Sequence, residues 1–212
     1  MATNGSIATN YHQARRHLAR RDEVLKIIIR EVGACTLVPN PDHFGLLVRS
    51  IISQQISTKA ALAIGGRLKT SMGRRGITPR AILDTPDATL RAAGLSANKM
   101  LALRDLADKV NTRLVPLKKL GDMDDEAVIE RLVEVRGIGR WTAQMFLIFS
   151  LGRPDVLPVD DYGLRAAAQK HYKLKELPKR DVLTKLGAPW QPYRSVATWY
   201  MWRSLGGVPQ SK

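Results

Sequence analysis

Cysteine is almost missing. Cys35 is the single one in 212 residues, so no internal disulfide and no four-cysteine iron–sulfur cluster can form, and the chain reads as one that works in a reducing compartment. Long apolar runs are missing too: no stretch approaches a membrane span, and the opening MATNGSIATN lacks the apolar core of a secretory signal. The expectation is an intracellular protein, in the cytoplasm if the source is bacterial and in the nucleus if it is eukaryotic. Strand-like alternation is absent, so the fold class is expected to be all-α. His, Cys and acidic residues nowhere take a zinc-site spacing. Acids are scarce: 19 Asp and Glu stand against 34 Lys and Arg, a net charge of +15 and a pI near 10.4.

Such an excess points to a polyanionic partner. It is unevenly spread. Residues 59–119 hold 13 basic and 4 acidic residues, residues 120–135 hold 1 and 6, and residues 136–212 hold 13 and 5. Two basic segments thus flank a short acidic one, GDMDDEAVIERL, in which Asp122 or Asp124 can cap a helix and the following acids suit its first turn.

The most informative stretch follows directly. Leu132, Val133 and Val135 close one helical segment, Gly137-Ile138-Gly139 breaks it with two residues free to take positive φ, and an apolar helix resumes at Trp141. The main-chain N–H groups of Gly139, Arg140 and Trp141 open that helix at its positive dipole end, where an anion is favoured. Arg136 and Arg140 add charge on either side, so a nucleic-acid phosphate is the natural ligand. An ordinary glycine turn between packed helices is the plainer reading of GxG by itself.

Along the rest of the chain, residues 1–10 read as disordered and a helical pattern runs from Tyr11 to a stop at Gly33. One or two helices cover 44–68, interrupted by Ser53-Gln54-Gln55-Ile56-Ser57, whose amides either reach a groove or end a helix. Residues 66–80 read as a Gly/Arg-rich loop, and Thr85 to Asp87 as a cap. A second glycine turn, Gly94-Leu95-Ser96-Ala97-Asn98-Lys99, leads into another helix. Leu157-Pro158-Val159-Asp160-Asp161 precedes a further one, with Asp160 read as its N-cap. The last helix carries Trp199, assigned to the core, and Trp202.

VRGIGRWTAQMF followed by LPVDDYGLR resembles the helix-hairpin-helix DNA glycosylases, and LLVRSIISQQISTKAA with PWQPYRSVATWYMWRSL resembles their 3-methyladenine DNA glycosylase II branch; together these blocks span about 44–205. The resemblance implies a two-lobed fold with the active-site cleft between lobes, the central lobe at about 44–150 and the other at about 11–40 plus 158–205. It implies a monomer acting on double-stranded DNA with alkylated bases, by base flipping and an aspartate-assisted attack of water. Asp161 takes the catalytic position and Asp160 is second choice. Trp141, Trp202 and Met145 fall at the base pocket. Gln54, Gln55, Ile56 and Ser57 form a DNA-probing turn with Ile56 as wedge, and Ser96 or Ala97, near Lys99, stands where a plug fills the gap left by the base. Strand-cutting relatives carry a lysine where this chain has Trp141, so the implied enzyme is monofunctional. No cofactor is required; a structural Na+ or K+ on the carbonyls of Val133, Val135 and Ile138 is implied at the hairpin. Competing readings are a non-catalytic helix-hairpin-helix DNA-binding module and a glycosylase for other damaged bases.

Overall fold

Short polar side chains ahead of apolar runs start most of the helices. In the computed structural model, which describes residues 4–207, Asp22, Asp42, Ser57, Thr78, Ser96, Asp124 and Asp161 each accept a main-chain N–H from the first turn that follows. Each such cap contributes about 1 kcal/mol. No strand occurs among the described residues, and the chain divides into two compact units.

One unit is Asn40–Leu151. It contains α3 (His43–Ser53), α4 (Thr58–Met72), α5 (Pro79–Asp84), α6 (Asp87–Ala92), α7 (Ala97–Asn111), α8 (Asp125–Val133) and α9 (Arg140–Phe149). Within it α3 packs on α4, α7 and α9, α5 and α6 pack on α7, and α8 packs on α9. Leu47, Ile51, Leu68, Ile82, Leu103, Leu106, Leu132 and Phe146 are fully or almost fully buried. Each stabilises the fold by roughly 1.5–3 kcal/mol relative to an exposed side chain.

The other unit joins the segment ending at Pro39 to the segment beginning at Gly152. It contains α1 (Asn4–Arg21), α2 (Glu23–Val32), α10 (Tyr162–His171), α11 (Arg180–Gly187) and α12 (Arg194–Ser204). The second helix and the tenth both pack on α12, which is buried on every face from Ser195 to Trp202. Arg194 anchors the start of α12, donating through Nε and a terminal nitrogen to the two carboxylate oxygens of Asp155 at 2.8 and 2.9 Å.

Several expectations change. The pattern read as one helix from Tyr11 to Gly33, interrupted by the basic pairs Arg15-Arg16 and Arg20-Arg21, is two helices divided at Asp22, which is extended and takes the Leu25 N–H on one carboxylate oxygen. Its other oxygen accepts from the Tyr172 hydroxyl and from Trp190 Nε1 at 2.8 Å, and burial together with that bond pushes the Tyr172 hydroxyl pKa up. An aspartate with these partners favours a cap over continued helix. Residues 4–10, expected to be disordered, form the first turns of α1; residues 1–3 lie outside the described residues. The Gly/Arg-rich loop is helical up to Met72, because burial of Leu68 and Met72 outweighs the two interior glycines. At the expected cap of Thr85 to Asp87, Thr85 Oγ1 instead donates to the Ala81 carbonyl at 2.7 Å, and Pro86 takes the cap position with no side-chain bond.

Candidate active site and nucleic-acid interface

The hairpin lies in the Asn40–Leu151 unit. After α8 ends, Val135 N donates to Leu132 O at 3.1 Å and Ile138 N to Val135 O at 3.0 Å, which turns the chain through two short loops. Gly137 takes φ +78°. Gly139 does not share this conformation: at φ −97° and ψ 174° it is extended, and it caps α9 with no side-chain oxygen. Ile138, 4% exposed, pins the turn to the core.

Side chains remote in sequence brace this turn. Gln54 Nε2 donates to Gly137 O at 2.8 Å. Asp105 Oδ2 accepts the Arg136 amide at 2.7 Å and Lys109 Nζ at 2.8 Å, while Lys109 also donates to Glu134 O at 2.6 Å. Burial alone would raise the Asp105 carboxyl pKa; hydrogen bonds from Lys109 and the Arg136 amide, with the charges of both residues, hold it below its ordinary value instead. A carboxylate depressed on folding supports the turn fully above the ordinary carboxylate range, about pH 4, and the support is lost as pH falls below it. Nothing in the sequence singled Asp105 out beyond its i, i+4 spacing to Lys109.

The turn expected to probe DNA begins at the C-cap of α3. Gln54 ends the helix, Gln55 takes φ +57°, and Ser57 caps α4 through the Ala60 N–H at 3.2 Å. Gln54 is therefore engaged inside the protein rather than projecting its amide outward. Ile56, at the tip, is 37% exposed, unlike the buried isoleucines Ile51 and Ile52 before it. In the next turn Ser96 caps α7 and Ala97 is its first, exposed residue. Lys99 also turns inward, with Nζ 2.6 Å from Ile52 O, and burial lowers its pKa. The Gln54 and Lys99 bonds tie all three turns together. At the hairpin Arg136 is exposed, and Arg140 pairs with Glu126 through both of its terminal nitrogens on the surface. Exposed pairs of this kind contribute under about 1 kcal/mol, so a phosphate can compete for Arg140.

The acidic pair lies in the other unit, and here the structure reverses an assignment. Asp161, not Asp160, is the N-cap of α10: at φ −68° and ψ 121° it immediately precedes Tyr162, and Oδ1 accepts the Leu164 N–H at 2.6 Å. The same Oδ1 accepts Trp202 Nε1 at 2.7 Å, and Asp161 is only 5% exposed. Asp160 is one residue too early for the cap. It faces outward, taking Arg180 Nε at 2.5 Å and a second guanidinium nitrogen at 2.7 Å. The Asp161 side chain thus sits at the positive end of α10, buried and fixed by two N–H donors.

The three expected base-pocket residues differ in accessibility. Trp141, in the first turn of α9, is 37% exposed. Trp202 is 2% exposed and Met145 fully buried. Among the described residues no helix is long and apolar enough to cross a membrane.

Residues 48–192 match the HhH-GPD superfamily of base excision DNA repair proteins, and the chain belongs to that superfamily. Within it, the sequence is 32% identical to the alkylbase DNA glycosidase-like protein mag2 of Schizosaccharomyces pombe, covering 92% of this chain and 94% of that one. It is 36% identical to DNA-3-methyladenine glycosylase 1 of the same yeast, over 93% and 89% of the two chains. The structure of S. pombe 3-methyladenine DNA glycosylase Mag1 in complex with abasic DNA superposes with a TM-score of 0.80 at 34% identity, covering 94% of this chain and all of that one. A DNA-3-methyladenine glycosidase from Bacillus halodurans gives a TM-score of 0.83 at 36% identity, over 91% and 89%.

Proposed function

We propose that the protein is a monofunctional DNA glycosylase that hydrolyses the N-glycosidic bond of alkylated purines, of the 3-methyladenine and 7-methylguanine type, in duplex DNA inside the cell, and that it acts as a monomer. The observation that carries this reading is the buried Asp161 carboxylate at the N-terminus of α10. Relatives named for 3-methyladenine excision, over nearly the full length of this chain, support the substrate class.

In the reaction the target nucleotide leaves the stack, since its glycosidic bond cannot be reached inside a duplex. As the C1′–N bond breaks, the base takes the bonding electron pair and the sugar becomes oxocarbenium-like. Asp161 stabilises that positive charge and orients the water whose oxygen bonds to C1′. The water's proton passes to solvent or to the departing base. The part-exposed indole of Trp141 suits a cationic methylated purine, with a cation–π contribution of roughly 0.5–2 kcal/mol. Gly139, the N-terminus of α9, Arg136 and Arg140 receive phosphates, and Ile56 is the side chain placed to enter the stack.

The resemblance also implies a monovalent cation at the hairpin, on the carbonyls of Val133, Val135 and Ile138. Three neutral oxygens suit a hard cation, and Val135 O spends one lone pair on the Ile138 amide with a second remaining. When bound, a Na+ or K+ there supplies positive charge for a neighbouring phosphate.

Incubation with DNA carrying labelled methylated purines should release free base and leave an intact abasic strand. Borohydride added during turnover should trap no covalent adduct, because Trp141 stands where a lysine nucleophile would be. A trapped adduct with strand scission would overturn the monofunctional assignment, and absence of base release with DNA binding retained would make the protein a binding module. Affinity for duplex DNA should fall linearly in log–log form with salt, by about 0.9 per neutralised phosphate. A flat dependence contradicts phosphate-dominated binding.

A further inference from the structure

Trp202 lies 41 residues after Asp161 in sequence, yet its indole N–H is 2.7 Å from Asp161 Oδ1. We infer that Trp202 is a positioning residue for the Asp161 carboxylate and not a stacking wall for the base. This inference rests on the reading of Asp161 as the catalytic group.

Three observations support it. First, Trp202 is 2% exposed, within a helix buried on every face over this stretch, so its ring has little freedom to move. Secondly, the oxygen it bonds already accepts the Leu164 amide at 2.6 Å. One donor comes from the first turn of α10 and the other from the side of α12. A carboxylate with one hydrogen bond can still rotate about it, whereas two donors from different directions on the same oxygen fix the orientation of the whole group. Thirdly, the approach of the indole depends on Gly163. A Cβ there would lie 3.1 Å from Trp202 Cδ1, 3.3 Å from Nε1 and 3.2 Å from Asp161 Oδ1. A buried indole N–H takes some partner in any protein, but here the absence of a side chain at residue 163 makes room for this particular partner.

The test uses Trp202→Phe, which keeps a ring and removes the N–H, and Gly163→Ala, which removes no group and presses on both partners. Each is measured for single-turnover release of 7-methylguanine, affinity for abasic DNA and thermal midpoint, in the wild-type and in the Asp161→Asn background. Both variants should slow release about tenfold or more, the scale of a lost hydrogen bond to a charged group, with affinity for abasic DNA unchanged. Gly163→Ala should do so with at most a modest fall in thermal midpoint, since crowding of the buried indole and carboxylate is partly offset by the helix preference of alanine. In the Asp161→Asn background neither should slow release further, because the group they position is already neutral. Undiminished release by both variants overturns the inference, as does a Trp202→Phe loss that persists in full in the Asp161→Asn background. Full activity of Asp161→Asn alone would instead defeat the assignment of Asp161 as catalytic group.

Discussion

Asp161→Asn should fold, bind abasic DNA close to normally and lose on the order of 10² to 10³ in single-turnover base release, the scale of one lost electrostatic stabiliser. The structure makes this substitution unusually clean. Asn retains the Oδ1 that accepts the Leu164 amide and the Trp202 indole, and it caps a helix about as well as Asp. The substitution removes the negative charge and turns the second carboxylate oxygen into an NH2 donor. Asp160→Asn is the matched control: it breaks an exposed ion pair with Arg180, costing under about 1 kcal/mol, and should leave excision intact. Circular dichroism, DNA binding and rapid-quench base release on both variants decide the matter. If Asp160→Asn were the inactive enzyme and Asp161→Asn retained its rate to within a fewfold, the assignment would be off by one residue.

At the hairpin, Gly137→Ala should lose both stability and DNA affinity, and Gly139→Ala affinity alone. Gly137 sits at φ +78°, where any other L-residue is strained by about 1–2 kcal/mol. Its carbonyl is also the acceptor for Gln54, so relief of that strain would disturb the brace between the two turns. We expect binding weakened about tenfold, uniformly across sequences, with a lowered thermal midpoint. Gly139 has an ordinary φ, and a Cβ there meets nothing within 4 Å. Its replacement therefore costs the protein little, and any loss of affinity reports how closely a phosphate approaches the start of α9. Normal DNA binding by both variants would reduce the hairpin to a connector between helices.

What could be read from the chain beforehand was local. The absence of strand alternation, the GxG break between apolar segments and the capping acid Asp124 all depend on neighbours a few positions away, and the helices they announce are present. Where the reading went astray, a local rule met a competitor of similar size. Asp22 divides a pattern read as one helix, and the glycines of residues 65 and 66 sit inside a helix that buried side chains stabilise. At the acidic pair two adjacent aspartates offered the same capping chemistry, and only the register of α10 separated them.

The sequence by itself determined the all-α class, the positive charge, the hairpin and the identity of the acids and tryptophans available for chemistry, because periodicity, capping and net charge are properties of short segments or of the whole composition. Tertiary structure alone decided what those residues do. Gln54 meets Gly137, Asp105 meets Arg136, and Trp202 meets Asp161, across 83, 31 and 41 residues respectively. Each contact forms only once packing has brought its elements together, and a hydrogen bond acts over about 3 Å however far apart its partners stand in the chain. Packing thus made Trp202, a candidate stacking wall, a donor to a carboxylate, and made Asp161 at once the cap of its helix and a buried acceptor for two N–H donors.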